Sequence, residues 1–167
     1  MRNSMGMNIR RTFCAALFAI VSLGAIVPAI AQHQVYPAPE QAAADLADAL
    51  KVAVVQHRRV LLDFGGDWCT DCLVLDSYFN DSSNKPILDA NFVLVHINVG
   101  HVDQNLKVAE RYEVPLNKGV PALAVLSSRG KLLYSQRSGE FEAMRRMESS
   151  AVTQFLMNWK PARPAQK

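Results

Sequence analysis

Apolar residues recur along the chain with two periods, and these periods predict alternating helices and strands. Between Glu40 and His57 they recur every four residues, the pattern of an amphipathic helix that begins after Pro39. The apolar positions of this helix are Leu46, Leu50 and Val54, with Ala43, Ala47 and Ala53 beside them. The next apolar run, Arg59–Phe64, is short and ends at Gly65-Gly66, as expected of a buried strand.

The same reasoning predicts the other elements. The further strands are Phe92–Val99, Pro121–Leu126 and Lys131–Gln136, the last two forming a hairpin around Ser127–Gly130. The further helices are Cys69–Phe79, a helix from an N-cap at Asp103 to Tyr112, and Glu140–Trp159, with a helical turn at Ile87–Ala90. The order α, β, α, β, α, β, β, α predicts an α/β fold with a mixed sheet covered on both faces by helices.

The first 31 residues have the features of a signal peptide. Three arginines, Arg2, Arg10 and Arg11, precede an apolar run from Phe13 to Val27, and Ala29-Ile30-Ala31 supplies the small residues of a cleavage site before Gln32. This run of about fifteen residues is shorter than the roughly twenty that span a bilayer as a helix. We therefore expect an exported, periplasmic protein, with an uncleaved N-terminal anchor as the alternative.

Removal of this segment changes both the size and the charge of the chain. It leaves 136 of the 167 residues, enough for one domain, and removes three of the 18 basic residues and none of the 15 acidic ones. The predicted organisation is a signal peptide (1–31), a linker (32–39), one domain (40–160) and a flexible tail (161–167). The remaining sequence is about neutral and lacks a basic stripe, so nucleic-acid binding is not expected.

Cys69 and Cys72 are the candidate reactive groups, since Cys14 lies in the signal peptide. Two thiols separated by two residues at a helix start lie within one turn, close enough to form a disulfide. The N–H groups and dipole of the helix terminus favour a thiolate at Cys69, and Cys72, one turn further in, is placed to resolve a mixed disulfide. A disulfide over so short a loop adds little stability, which favours a redox role.

Metal binding is the competing interpretation of this pair. A zinc site needs four ligands, and the histidines that would complete one, foremost His96 and His101, are scattered along the sequence. Two thiolates alone suffice for a soft ion such as Cu(I), so a copper chaperone stays an alternative. We expect no bound cofactor other than the Cys69–Cys72 disulfide.

The stretch LLDFGGDWCTDC, Leu61–Cys72, resembles the active site of the thioredoxin family. The resemblance extends over Arg59–Trp159 and has three parts: a strand that ends in Asp-Phe, a Trp directly before C-x-x-C, and Gly119-Val120-Pro121 before the hairpin. It implies a thioredoxin-like fold and protein thiol–disulfide exchange.

The resemblance also implies roles for residues around the cysteines. Asp63 corresponds to the buried aspartate that exchanges a proton with the second cysteine. Trp68 borders the substrate surface. A cis peptide bond is expected before Pro121, opposite the cysteines, and the backbone of Val120 would lie along a bound substrate chain.

Some residues depart from the family pattern and are expected to tune the redox chemistry. Thr70-Asp71 stands where reductases of the family usually have Gly-Pro, and Gly65-Gly66 replaces larger residues. His96 occupies the place of a lysine near the buried aspartate, so the charge coupling of that pair should depend on pH near neutrality. The carboxylate of Asp71 opposes a thiolate at Cys69, which favours a reductant over a strong oxidant.

The sequence thus predicts an exported protein-disulfide reductase or isomerase active in cell redox homeostasis. A disulfide-donating oxidase and a non-catalytic interaction domain are further alternatives. Protein thiols and disulfides would be the substrates. Because no G-x-G-x-x-G motif for a nicotinamide or flavin is present, we expect electrons from a membrane thiol–disulfide transporter. The protein is expected to be a monomer.

Overall fold

A computed structural model of the protein describes residues 34–162. Its strands are β1 (Arg59–Gly65), β2 (Phe92–Asn98), β3 (Ala122–Leu126) and β4 (Leu132–Ser135). Its α-helices are α1 (Ala42–Gln56), α2 (Thr70–Phe79), α3 (Lys85–Asn91), α4 (Leu106–Arg111) and α5 (Ser149–Trp159). Short 3-10 turns lie at Pro39–Gln41, Leu116–Lys118 and Met144–Arg146.

The four strands form one mixed sheet in the order β2-β1-β3-β4. Strand β1 is parallel to β2 and antiparallel to β3, which pairs with β4 as the predicted hairpin. Alternate residues of β1 face opposite sides, as the pleat requires. Val60, Leu62 and Phe64 pack in the core with α1, whereas Leu61 packs in the second core with α2 and α5. The predicted α/β fold is confirmed.

The buried face of α1 differs from the predicted one. Ala42, Leu46, Ala49 and Ala53 are buried, whereas Val54 is 48% exposed. A step of four residues turns about 40° past a full turn of an α-helix, so a stripe built only from steps of four moves off the core-facing side. Residues spaced alternately by four and three positions, as the buried ones are, stay on the side of the helix that faces the core. The small alanines among them allow the helix to approach the sheet closely.

Two other helices begin later than predicted. The α4 helix starts at Leu106 after Asn105, whose φ is 53°; Asp103 is not the N-cap, and its side chain instead accepts the backbone N–H of His101. The α5 helix starts at Ser149 rather than Glu140. The intervening segment buries Phe141 and Met144 in the core beside α2 and α5, so tertiary packing overrides its helical pattern.

The two ends of the chain lie largely outside the described residues. The signal peptide with Cys14 and most of the predicted flexible tail lie outside the described residues, and their predicted roles stay predictions. Within residues 34–162, no helix has the length and apolar character needed to cross a bilayer.

Candidate active site

The two cysteines lie at the junction between β1 and α2. Cys69 is the N-cap of α2, and its Sγ accepts the backbone N–H of Cys72 at 3.2 Å. The two residues form a disulfide, with their Cα atoms 5.2 Å apart. Cys72 is fully buried, whereas Cys69 is 6% exposed. The structure therefore brings the pair together as predicted and leaves Cys69 as the more accessible sulfur.

The loop before β3 lies against this pair. The Val120–Pro121 peptide bond is cis, and the carbonyl oxygen of Val120 is 3.6 Å from Sγ of Cys69. Pro121 is buried and Val120 is partly buried. The backbone of Val120 thus borders the accessible sulfur, at the position that the resemblance implies for a bound substrate chain.

Trp68 lies at the solvent-exposed edge of the site and is 48% exposed. Its indole N–H donates to the carbonyl oxygen of Gly100, and its ring stacks on His101 with the centroids 5.2 Å apart. Gly66 is required beneath the indole, because a Cβ there would lie 2.7 Å from Nε1 of Trp68. Among residues 34–162, His101 does not join the cysteines in a group of three or more potential metal ligands.

Asp63 is fully buried in the central strand β1. Its neighbours across the sheet are His96 on β2 and Leu123 on β3. Oδ2 accepts a hydrogen bond from the hydroxyl of Tyr36 at 2.7 Å and lies 2.9 Å from Nδ1 of His96. Because a carboxylate oxygen can only accept, Nδ1 of His96 carries the hydrogen. The predicted pair of Asp63 and His96 is in direct contact.

Tyr36 is a residue of the candidate site that the sequence did not predict. The segment interpreted as a linker packs against the site, with Tyr36 fully buried in one cluster with Cys69 and Cys72. The N–H groups of Val35 and Tyr36 both donate to Oδ1 of Asp67, which fastens the segment. One signal was present in the sequence: Gly65-Gly66, small residues where the family has larger ones, leaves a space that another side chain must fill.

The environment of Asp63 shifts the pKa of both its partners. Burial raises the pKa of Tyr36 well above 10.0, and the charge and hydrogen bond of Asp63 raise it further. For His96, burial lowers the pKa, but the hydrogen bond and charge of Asp63, with the charges of Asp76 and Asp67, outweigh burial and raise it above 6.5. Nε2 of His96 lies 3.8 Å from Oδ1 of Asp76. Tyr36 therefore remains protonated and keeps donating its hydrogen bond near neutral pH. His96 loses its charge as the pH rises through its raised pKa.

Asp71 has a partner that the sequence did not reveal. Its Oδ1 accepts the backbone N–H of Arg145 at 2.8 Å, and Oδ2 lies 3.1 Å from both Nε and Nη2 of that residue. Desolvation raises the pKa of Asp71, but the hydrogen bonds and charge of Arg145 and the charge of Arg146 outweigh it and lower the pKa. The carboxylate predicted to act on Cys69 is therefore largely compensated. Thr70 is exposed, and its redox-tuning role stays a prediction.

Within residues 34–162, no group of three or more His, Cys, Asp or Glu side chains is placed to hold a metal ion. Nδ1 of His96 is hydrogen-bonded to Asp63, and the ring of His101 stacks on Trp68. The zinc site considered above has no ligand set in this part of the chain, and a two-thiolate site for a soft ion would have Cys69 and Cys72 alone.

A mixed sheet, a cysteine pair at a helix start and a facing cis-proline loop define a thioredoxin-like protein. The profile of the family described as thioredoxin-like matches residues 41–128, just over half the chain. The chain belongs to this family.

Three relatives show how far the similarity extends. A disulphide isomerase from Xylella fastidiosa Temecula1 is 32% identical, with a TM-score of 0.70, over 74% of this chain and 95% of that one. Thioredoxin-3 of Dictyostelium discoideum is 33% identical over 61 residues, 36% of this chain and 56% of that protein, so the match spans little more than half of this relative. A Thermus thermophilus thioredoxin shares the fold at 21% identity and a TM-score of 0.50, over 74% of this chain and 83% of that one.

The raised pKa of His96 predicts a pH dependence of stability. Below pH 6.5, its ordinary pKa, the imidazole is charged in both the folded and unfolded chain and its stabilisation is complete. That stabilisation is lost as the pH rises through the raised folded pKa. In denaturant unfolding of the oxidised protein, the wild type should lose stability across this window, and His96→Gln should lose less. His101→Gln is the control and should follow the wild type; an unchanged loss in His96→Gln would contradict the assignment.

Proposed function

We propose that this chain is an exported thiol–disulfide oxidoreductase that reduces or isomerises protein disulfides through Cys69 and Cys72. The observation that carries the proposal is the position of Cys69 Sγ, which accepts the N–H of Cys72 at the start of α2 and borders the Val120 carbonyl. A thiolate at this position keeps that hydrogen bond and the favourable helix terminus. Similarity to a protein described as a disulphide isomerase supports exchange on protein disulfides.

The reaction begins from the reduced pair. The Cys69 thiolate attacks one sulfur of a substrate disulfide, a mixed disulfide forms, and the first substrate thiolate leaves. The Cys72 thiol gives its proton to the Asp63 carboxylate and attacks Sγ of Cys69. The second substrate thiolate then leaves, and the enzyme retains the Cys69–Cys72 disulfide. Two electrons pass to the substrate, whose two thiolates take protons from solvent.

The surroundings of Cys69 favour the reducing direction. A strong oxidant needs a specially stabilised thiolate, as in the periplasmic oxidase whose potential is about −120 mV. Within the described residues, the polar contacts of Sγ are the N–H of Cys72 and the carbonyl of Val120, and a carbonyl oxygen does not stabilise a thiolate. The charge of the nearby Arg145 is engaged by Asp71. Moderate stabilisation from the helix terminus leads to a potential nearer that of thioredoxin, about −270 mV.

The proposed location and partners follow from the leader and from this chemistry. A signal peptide cleaved before Gln32 delivers the protein to the periplasm, where a membrane thiol–disulfide transporter returns the pair to its reduced form. N-terminal sequencing of protein purified from the periplasm should begin at Gln32. A sequence that begins at Met1, with the protein in the membrane fraction, would support the anchored alternative.

Trapping experiments test the roles of the two cysteines. Cys72→Ala should accumulate disulfide-linked adducts through Cys69, since the internal release route is lost. Non-reducing gels of cell extracts should show these adducts, and the Cys69→Ala/Cys72→Ala double variant should show none. Cys69→Ser should abolish reduction of insulin disulfides. Adducts formed by Cys69→Ala and absent from Cys72→Ala would reverse the two roles.

The pairing of Asp71 with Arg145 predicts opposite shifts of the redox potential. Arg145→Gln leaves the carboxylate uncompensated, disfavours the thiolate and should make the potential more negative. Asp71→Asn should make it more positive. An exposed pair contributes up to about 1 kcal/mol, which is about 20 mV for a two-electron couple. Equilibration with glutathione measures both shifts, and a wild-type potential above about −150 mV would contradict the reducing direction.

A further inference from the structure

The two oxygens of the Asp63 carboxylate have different surroundings. Oδ2 has two partners, the hydroxyl of Tyr36 and Nδ1 of His96. Oδ1 is buried and has no hydrogen-bond partner among residues 34–162. A buried carboxylate oxygen without a donor is energetically unfavourable, and such an exception calls for a functional explanation. Under the proposed function, a proton must reach this carboxylate from Cys72.

Tyr36 borders both the carboxylate and the cysteine pair. A Cβ added to Gly65 would lie 2.5 Å from the hydroxyl oxygen of Tyr36 and 2.8 Å from Sγ of Cys72, so both atoms border the small space above this glycine. The ring is fully buried and packs in one cluster with Cys69 and Cys72. The phenol thus covers the inner sulfur from the side of the N-terminal segment while its hydroxyl reaches Asp63.

We propose that Tyr36 is a positioning residue for the second step of disulfide exchange, holding Oδ2 of Asp63 beside His96 so that Oδ1 is the oxygen that accepts the proton of Cys72. This inference rests on the proposed function. In this step the S–H bond of Cys72 breaks and an O–H bond forms at Oδ1. The sulfur then forms its bond to Cys69, and the electron pair of the broken mixed disulfide leaves with the substrate thiolate.

The other groups around Asp63 explain why a tyrosine suits this position. From β2, His96 faces the carboxylate and is itself influenced by Asp76 of α2 and by Asp67. From β3 the neighbour is the apolar Leu123. His96 gains or loses its charge with pH, whereas the phenol remains protonated and donates across the working range. Tyr36 therefore keeps the carboxylate oriented in both charge states of His96.

The test separates the two steps of exchange with a chromogenic disulfide, 5,5′-dithiobis(2-nitrobenzoate). Reduced protein should release one thionitrobenzoate as Cys69 attacks and a second as Cys72 resolves the adduct. In Tyr36→Phe, the first phase should stay within about twofold of the wild type. The lost hydrogen bond stabilises the carboxylate, so its removal should move the pH at which the second phase reaches half its maximal rate upward by about one unit. At pH values below this midpoint, release of the second thionitrobenzoate should be about tenfold slower.

Two further variants distinguish positioning from general damage. Tyr78→Phe also removes one tyrosine hydroxyl, which donates to the carbonyl of Met147 from a partly buried ring, and should change neither phase. In an Asp63→Asn background, Tyr36→Phe should have no further effect on the second phase, because the two residues act through one carboxylate. An unchanged second-phase pH profile in Tyr36→Phe would overturn the inference. So would a Tyr36→Phe effect that slows the second phase as much in the Asp63→Asn background as in the wild type.

Other outcomes are equally decisive. If wild-type protein shows no second phase, the proposed function fails rather than the role of Tyr36. If Tyr36→Phe does not fold, ultraviolet titration of Asp63→Asn tests the contact directly. Tyr36 should then ionise at lower pH than in the wild type, since the neighbouring carboxylate raises its pKa, and the absence of such a change would overturn the inference.

Discussion

The buried carboxylate of Asp63 is the constraint to which much of the surrounding structure responds. A charge on the central strand of a sheet is strongly unfavourable unless donors surround it. One donor, His96, comes from the parallel strand at the matching register position. The second, Tyr36, comes from the segment before the first helix. Gly65 is small because Tyr36 must pass above it to reach the carboxylate. These features hold one carboxylate against Tyr36, whose hydroxyl borders the same small space as Sγ of Cys72.

The active site is completed by segments distant from the cysteines in sequence. Tyr36 contacts Asp63 across 27 residues, and Arg145 contacts Asp71 across 74. Both contacts are fastened by backbone groups: the N–H of Tyr36 donates to Asp67 and the N–H of Arg145 to Asp71. The backbone anchors hold each segment in place, so the side chains need little additional ordering when they meet the site.

Local pattern predicted the elements whose residues interact with near neighbours. The sequence predicted β1, the start of α2 at Cys69, and the β3–β4 hairpin, because strand alternation, helix capping and turn residues are local features. It was wrong about the start of α5, where burial of Phe141 and Met144 competes with helix formation. Tyr36 and Arg145 could not be predicted from pattern, since their roles depend on which distant segments fold together.

The two charged pairs on either side of the cysteines differ in a way that bears on the two steps of exchange. Arg145 is exposed and Asp71 is partly buried at the surface, where salt screens the interactions of charged groups. Asp63 and His96 are buried with little solvent to screen them, and the charge of Asp63 helps to raise the pKa of His96 above 6.5. Under the proposed function, the attack by Cys69 should therefore respond to ionic strength through the pair of Arg145 and Asp71, in addition to the pH dependence of its thiolate. Under the same function, the resolving step should respond to pH through the pair of Asp63 and His96, because proton acceptance by Asp63 would remove the charge that favours protonated His96. A lysine at position 96 would retain its charge through that step, whereas histidine can release a proton as the carboxylate gains one.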